Sequence, residues 1–311
     1  MAAADTRRPV LRSGALTFLR RYGLHPDPEG FLAHGYVDLF LEAWRGSTGR
    51  PLELATWWGL WTWRTDDLLD RELREADAAT VRYLVMRLRE VLDGDTAELV
   101  EDHPAVRALA DLVRWTRPAM PGDWWDRYAS ELEAWIQAAT EKRQGFARVS
   151  RTPTLRQYLT LRPTDGGMLL AAMWTELALG CVTPQWRGLW MHRLLDAFSA
   201  CGTLANDLAA DDDDRFTAQA ALVAAGVPEA EALERVREQL SGERARLWIL
   251  MTAIRQDAEL GGPDAAFPVT AELARALDHF VRALAEWTRT STRYRPPDGL
   301  CARRGARRRL R

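Results

Sequence analysis

Lysine is nearly absent from this chain: among 42 basic residues in 311, Lys142 is the only one. A preference for arginine this lopsided reads as genome composition, and nothing functional is drawn from it. Cysteine is scarce too. Cys181, Cys201 and Cys301 lie far apart with no C-x-x-C pair, which excludes a disulfide scaffold and fits reduced thiols in a cytoplasmic protein. The five histidines are scattered and suggest no zinc site. Glycine-rich phosphate loops, G-x-S-x-G and H-E-x-x-H are all missing. The most apolar run, "MLLAAMWTELALGCV" (168–182), is too short for a membrane span and contains Glu176, so no stable membrane insertion is expected. A net charge of −2 gives the chain no general pull on nucleic acid. Any chemistry here falls to carboxylates and arginines.

What remains is helical. Ala, Leu, Glu and Arg dominate, apolar residues recur three and four apart, and alternating β-branched runs are missing. The pattern predicts helices near 12–22, 33–46, 51–70, 77–93, 104–116, 122–146, 154–162, 165–180, 186–210, 216–225, 228–258 and 268–291. Between them stand breaks such as "GSTGRP", "RPAMPGD" and "SRTPT". An all-α single domain over 1–300 is expected, with a basic, disordered tail at 301–311.

Two acidic clusters stand out. In "DDLLD", Asp66 and Asp70 are four apart and share one face at a helix C-terminus, where mutual repulsion and the helix dipole both oppose their charge. A divalent cation relieves that, and hard oxygen ligands suit magnesium. Upstream, Trp57, Trp58, Trp61 and Trp63 crowd into seven residues around Gly59 and Thr62, which suggests an aromatic-walled cavity beneath a metal rim. The second cluster, "NDLAADDDD" (206–214), continues a helix on which Asn206, Ala210 and Asp214 form a drifting stripe, with Asp213 almost directly above Asn206. Two such sites on facing helices would clamp a polyanion such as a diphosphate.

From about Trp57 to Pro297 the chain resembles bacterial class I terpene synthases. "DDLLD" matches their aspartate-rich motif, and "NDLAADDDD" stands where their N-D-x-x-S-x-x-x-E motif belongs. "YLTLRPTDGG" (158–167) is similar to their effector segment, and "WTRTSTRY" (287–294) to their closing tryptophan with an arginine–tyrosine pair. The resemblance implies a helical bundle around an apolar cavity and a small-molecule prenyl diphosphate, farnesyl or geranylgeranyl, as substrate. It also implies three Mg2+ ions, a cyclised terpene product and a possible homodimer. Asp66, Asp67, Asp70, Asn206, Asp213 and Asp214 would ligate metal. Arg162 would sense the diphosphate, Asp165 link it to the effector Gly166, and Arg293 and Tyr294 bind phosphate oxygens. Trp57, Gly59, Trp61, Trp63 and Trp287 would line the substrate space.

The second motif departs from the family pattern. Its serine is replaced by Ala210 and its glutamate by the shorter Asp214, so the ion at Asn206 is the weakest element. A non-catalytic relative with an impaired second metal site therefore stays open, as do a prenyltransferase and an unrelated helical protein.

Overall fold

The structure, a computed structural model, describes residues 5–73, 75–94, 102–183, 188–210, 214–259 and 267–294; the side chains of 257–259 and 267–269 lie outside that description. The tail at 301–311 and Asp213 also lie outside it. Thirteen α-helices account for most of the described residues, and no strand occurs among them. In chain order they are α1 (Arg7–Tyr22), α2 (Pro28–Leu32), α3 (Tyr36–Ala43), α4 (Gly49–Asp67), α5 (Ala78–Asp93), α6 (Pro104–Thr116) and α7 (Gly122–Lys142). There follow α8 (Leu155–Asp165), α9 (Met168–Leu179), α10 (Leu189–Ala209), α11 (Ala218–Ala224), α12 (Glu229–Glu259) and α13 (Phe267–Thr290).

Local chemistry sets the boundaries. Thr154 caps α8 through a reciprocal capping box with Gln157, and Asp77 accepts from the amides of Ala79 and Thr80 to start α5. Two helices end in π-turns, α4 running into Leu68–Glu72 and α7 into Arg143–Ala147. Such wide turns expose backbone groups and concentrate at functional sites. Both flank the acidic cluster.

Helix α9 is apolar all round and lies at the centre, packed by α4, α7, α8, α10 and α13. Its one charged side chain, Glu176, is fully buried and is matched by Arg127 at 3.4 Å and the Thr183 amide at 2.7 Å. Indole N–H groups tie the layers together. Trp44 donates to Thr175 (3.1 Å), Trp58 to Thr116 (2.9 Å) and Trp174 to the Tyr128 hydroxyl (2.9 Å). These three tryptophans thus give packing area without leaving their own donors stranded.

One expectation is corrected. Helix α10 stops at Ala209, and Ala210 has extended backbone (φ −61°, ψ 152°), so Asn206, Ala210 and Asp214 form no helical stripe. Continuing would stack consecutive aspartates on the negative end of a helix dipole, which costs energy at every step.

Candidate active site

A cavity of about 500 Å³ opens between α4, α7, α8, α9, α10 and the segment after α13. Several chain segments bring polar groups to it, among them Ser150 and Arg151 after α7 and Asp214 and Arg215 after α10. From α4 and its π-turn come Asp66, Asp67, Asp70 and Arg71; from α7, Lys142; from the α8–α9 break, Arg162, Asp165 and Gly166; from α10, Asn206; and from the end of α13, Arg293 and Tyr294. Trp63, Trp174, Met168, Phe280 and Leu284 supply apolar wall.

The α8–α9 break is shaped by glycine. Gly167 holds φ at +65°, and a Cβ on Gly166 would fall 2.3 Å from the Thr203 methyl, so α8 and α10 approach there as no side chain would allow. Beside the break the Trp135 indole donates to the Asp165 carbonyl (3.1 Å). Arg162 is held from three sides. Its Nε and Nη2 donate to Asp207 Oδ1 (3.0 and 2.6 Å), its Nη1 to Asp165 Oδ2 (3.0 Å) and its Nη2 also to Asn206 Oδ1 (3.1 Å). The Asn206 amide nitrogen donates onward to the Tyr294 hydroxyl (2.6 Å). Arg293 forks onto Asp67 with bonds of 2.7 and 2.9 Å, a bidentate pairing, and donates to the Tyr36 hydroxyl (3.1 Å).

Comparison with known proteins assigns this arrangement. A family model described as terpene synthase family 2, C-terminal metal binding, matches residues 58–246, a span that carries both acidic clusters and the effector segment. The chain belongs to the terpene synthases. This terpene synthase is 27% identical over 263 residues to bonnadiene synthase of Allokutzneria albata, covering 76% of this chain and 67% of that one. Its fold is that of germacradien-4-ol synthase from Streptomyces citricolor (TM-score 0.80, 19% identity, 91% and 94% of the two chains). The linalool/nerolidol synthase of Streptomyces clavuligerus, solved in complex with 2-fluorogeranyl diphosphate, superposes at TM-score 0.77 with 20% identity, covering 92% and 96%. The chain is accordingly a class I lyase with a metal-binding domain.

Within this terpene synthase the two halves of "DDLLD" face different partners. Asp66 and Asp70 turn to the Lys142 ammonium at 3.4 and 2.7 Å, while Asp67 turns to Arg293. Burial pushes the Asp70 carboxyl up to about 7, with Lys142 opposing and the Asp66 charge adding to the rise. Burial raises Asp66 as well. Asp67 goes the other way. Burial disfavours its charge, but the Arg293 cation and its hydrogen bonds outweigh that and hold the carboxyl below the usual range.

The donor set fits a divalent metal. Asp70 Oδ1 is buried without a hydrogen-bond partner, an oxygen that a cation would satisfy. Among the described residues no three His, Cys, Asp or Glu side chains are gathered closely enough to hold an ion by themselves. That suits magnesium, which binds through one or two carboxylates and completes its shell with water and substrate phosphate. At the second cluster Asn206 is engaged with Arg162 and Tyr294, Ala210 offers no ligand, and the exposed Asp214 accepts from the Phe216 amide (2.9 Å).

The aromatic expectation is corrected in part. Trp63 reaches the cavity, but Trp57, Gly59, Trp61 and Trp287 do not. Trp57 stacks on Phe18 beneath Arg50, and Trp61 is fully buried, donating to the Ala105 carbonyl (2.8 Å). Both project roughly opposite to Asp66 at about 100° per residue along the helix. Gly59 shares the Asp66 face but lies two turns deeper, where Phe40 covers it. Trp287 stands behind Trp63 and Tyr294 and is tied to the His34 carbonyl (2.7 Å).

Trp174 and Phe280 of the cavity wall escaped the sequence reading, as did three polar residues. Asp207 accepts from Arg162, from Tyr158 (2.6 Å) and from the Ala218 amide (2.8 Å); it was visible as the second letter of "ND". Tyr158 was visible four residues before Arg162. Lys142 was visible as the only lysine.

Proposed function

We propose that this terpene synthase is a magnesium-dependent cyclase of farnesyl or geranylgeranyl diphosphate, releasing diphosphate and a cyclic terpene hydrocarbon or alcohol. The observation that carries this reading is one cavity shared by the acidic cluster, forked arginines and aromatic faces. Magnesium, when bound, supplies positive charge against the leaving diphosphate. Asp66, Asp70 and Asn206 would hold it, with Asp214 as a further carboxylate from the second cluster.

Arg162 and Arg293 present guanidinium forks that can exchange their carboxylate partners for phosphate oxygens, and Tyr294 adds a hydroxyl donor. Asp165 couples Arg162 to the backbone break at Gly166. The allylic cation left behind would lie against Trp63, Trp174 and Phe280, whose π-faces stabilise positive charge without reacting with it. The surrounding apolar wall keeps water from ending the reaction early. Among the described residues no helix is long and apolar enough to cross a membrane. A cytoplasmic location and a homodimer accord with the rest of the reading.

Purified protein with Mg2+ and farnesyl or geranylgeranyl diphosphate is expected to release inorganic diphosphate, and EDTA to abolish the release. Asp66→Ala is expected to slow it by about 100-fold or more. Release that persists in EDTA, or at full rate in D66A, contradicts the reading.

A further inference from the structure

Lys142 is the only lysine in a chain that otherwise uses arginine for positive charge, and it is buried. Its ammonium lies 2.7 Å from Asp70, 2.9 Å from Asp165 and 3.4 Å from Asp66. Two of these carboxylates belong to the aspartate-rich motif, and the third joins that motif to Arg162.

The placement is built into the fold. The next residue, Arg143, is fully buried and donates to the carbonyls of Leu73 (Nε, 3.0 Å) and Ala76 (Nη2, 2.9 Å), just past the π-turn that carries Asp70. Arg143 thereby pins the end of α7 to the first cluster, and Lys142 follows. A planar guanidinium spreads its donors in one plane, whereas an ammonium is a compact point charge with three donors that can meet three carboxylates at once. That geometry gives a reason for lysine at this position.

We propose that Lys142 is a tethered counter-ion that stands in for one divalent cation at the first acidic cluster. The proposal rests on the reading above and concerns how this chain neutralises its substrate's diphosphate. Fully ionised, Asp66, Asp70, Asp165 and Asp207 would carry four negative charges, of which Lys142 and Arg162 offset two. Without Lys142 a third goes unopposed, and a divalent ion would reduce that excess. Ammonium and metal draw on the same oxygen lone pairs, so Lys142 weakens metal binding before substrate arrives. Because Lys142 lines the cavity, its charge is also available to a diphosphate there.

The test is Mn2+ binding without substrate, followed by electron paramagnetic resonance, for wild type, Lys142→Gln, Lys142→Met and Lys142→Arg. The uncharged variants are expected to bind at least about tenfold tighter than wild type, and K142R, which keeps the charge, no tighter. A second measurement needs no variant. Selective labelling of the single lysine with 15N at Nζ gives one side-chain resonance, which Mg2+ is expected to shift and stoichiometric Mn2+ to broaden away. Folded K142Q and K142M with wild-type or weaker Mn2+ affinity, or a lysine resonance indifferent to metal, overturns the proposal. Diphosphate release measured alongside separates the two levels. Turnover with unchanged Mn2+ affinity refutes the role of Lys142 alone, and absence of turnover removes the reading beneath it.

Discussion

Replacing Asp207 by asparagine changes two properties of one buried side chain and almost nothing of its shape. The carboxylate accepts four hydrogen bonds: two from Arg162 on Oδ1, and those of the Tyr158 hydroxyl and the Ala218 amide on Oδ2. In Asp207→Asn the second oxygen becomes an NH2 group. The Tyr158 hydroxyl can rotate and accept, but the Ala218 N–H cannot, and a stranded buried donor costs about 1–3 kcal/mol. Arg162 keeps Asp165 but loses its second anionic partner, and turning charge-assisted bonds into neutral ones costs about 1 kcal/mol more. The sum is a loss of about 2–4 kcal/mol of stability, read as a lower urea midpoint with unchanged slope. Because Arg162 is also less firmly aimed, kcat is expected to fall more than KM rises. Tyr158→Phe removes one of the four donors and is expected to cost only about 1 kcal/mol. An Asp207→Asn enzyme within about 0.5 kcal/mol of wild type, with unaltered kcat, would refute the idea that this carboxylate aims Arg162.

Two further outcomes follow from the same geometry. Gly166→Ala keeps an acceptable backbone (φ −63°) but drives a Cβ into the Thr203 methyl, so it is expected to destabilise by about 1–3 kcal/mol, and Thr203→Ser in the same chain to recover most of the loss on thermal melting. Asp70, raised by burial to about 7 against a free value of about 3.9, leaves the folded protein binding more protons than the unfolded one between these values. Its contribution to stability therefore declines as pH rises from about 4 to 7 and is level above that. In metal-free buffer, melting points at pH 5 and 7.5 are expected to differ less for Asp70→Asn than for wild type, and an equal difference would contradict the shift.

How far the sequence disclosed this protein differs from element to element. Helices α5 and α6 could be drawn almost to the residue, since Asp77 and Pro104 start them and Gly94 ends the first. Arg162, Asp165, Asn206, Arg293 and Tyr294 were legible because motif spacing is a property of one chain segment at a time. Relations between segments were not. Nothing in "ATWWGLWTW" shows that Phe40 of α3 covers Gly59, or that Trp57 faces Phe18. The early end of α10 needed the competition between helix propagation and stacked aspartates to be weighed, and periodicity alone ran past it. Lys142 is the sharpest case. Its scarcity was plain in the composition, but only the packing of α7 against the π-turn after α4 sets the ammonium among three carboxylates.

The account stands most directly on the product. Purified enzyme with Mg2+ and, separately, ten-, fifteen- and twenty-carbon prenyl diphosphates, extracted and analysed by gas chromatography–mass spectrometry, is expected to convert the fifteen- or the twenty-carbon substrate to a cyclic hydrocarbon or alcohol. Formation of only linear alcohols, or no product from any of the three while the protein is folded and metal is present, would contradict the assignment of this cavity to cyclisation.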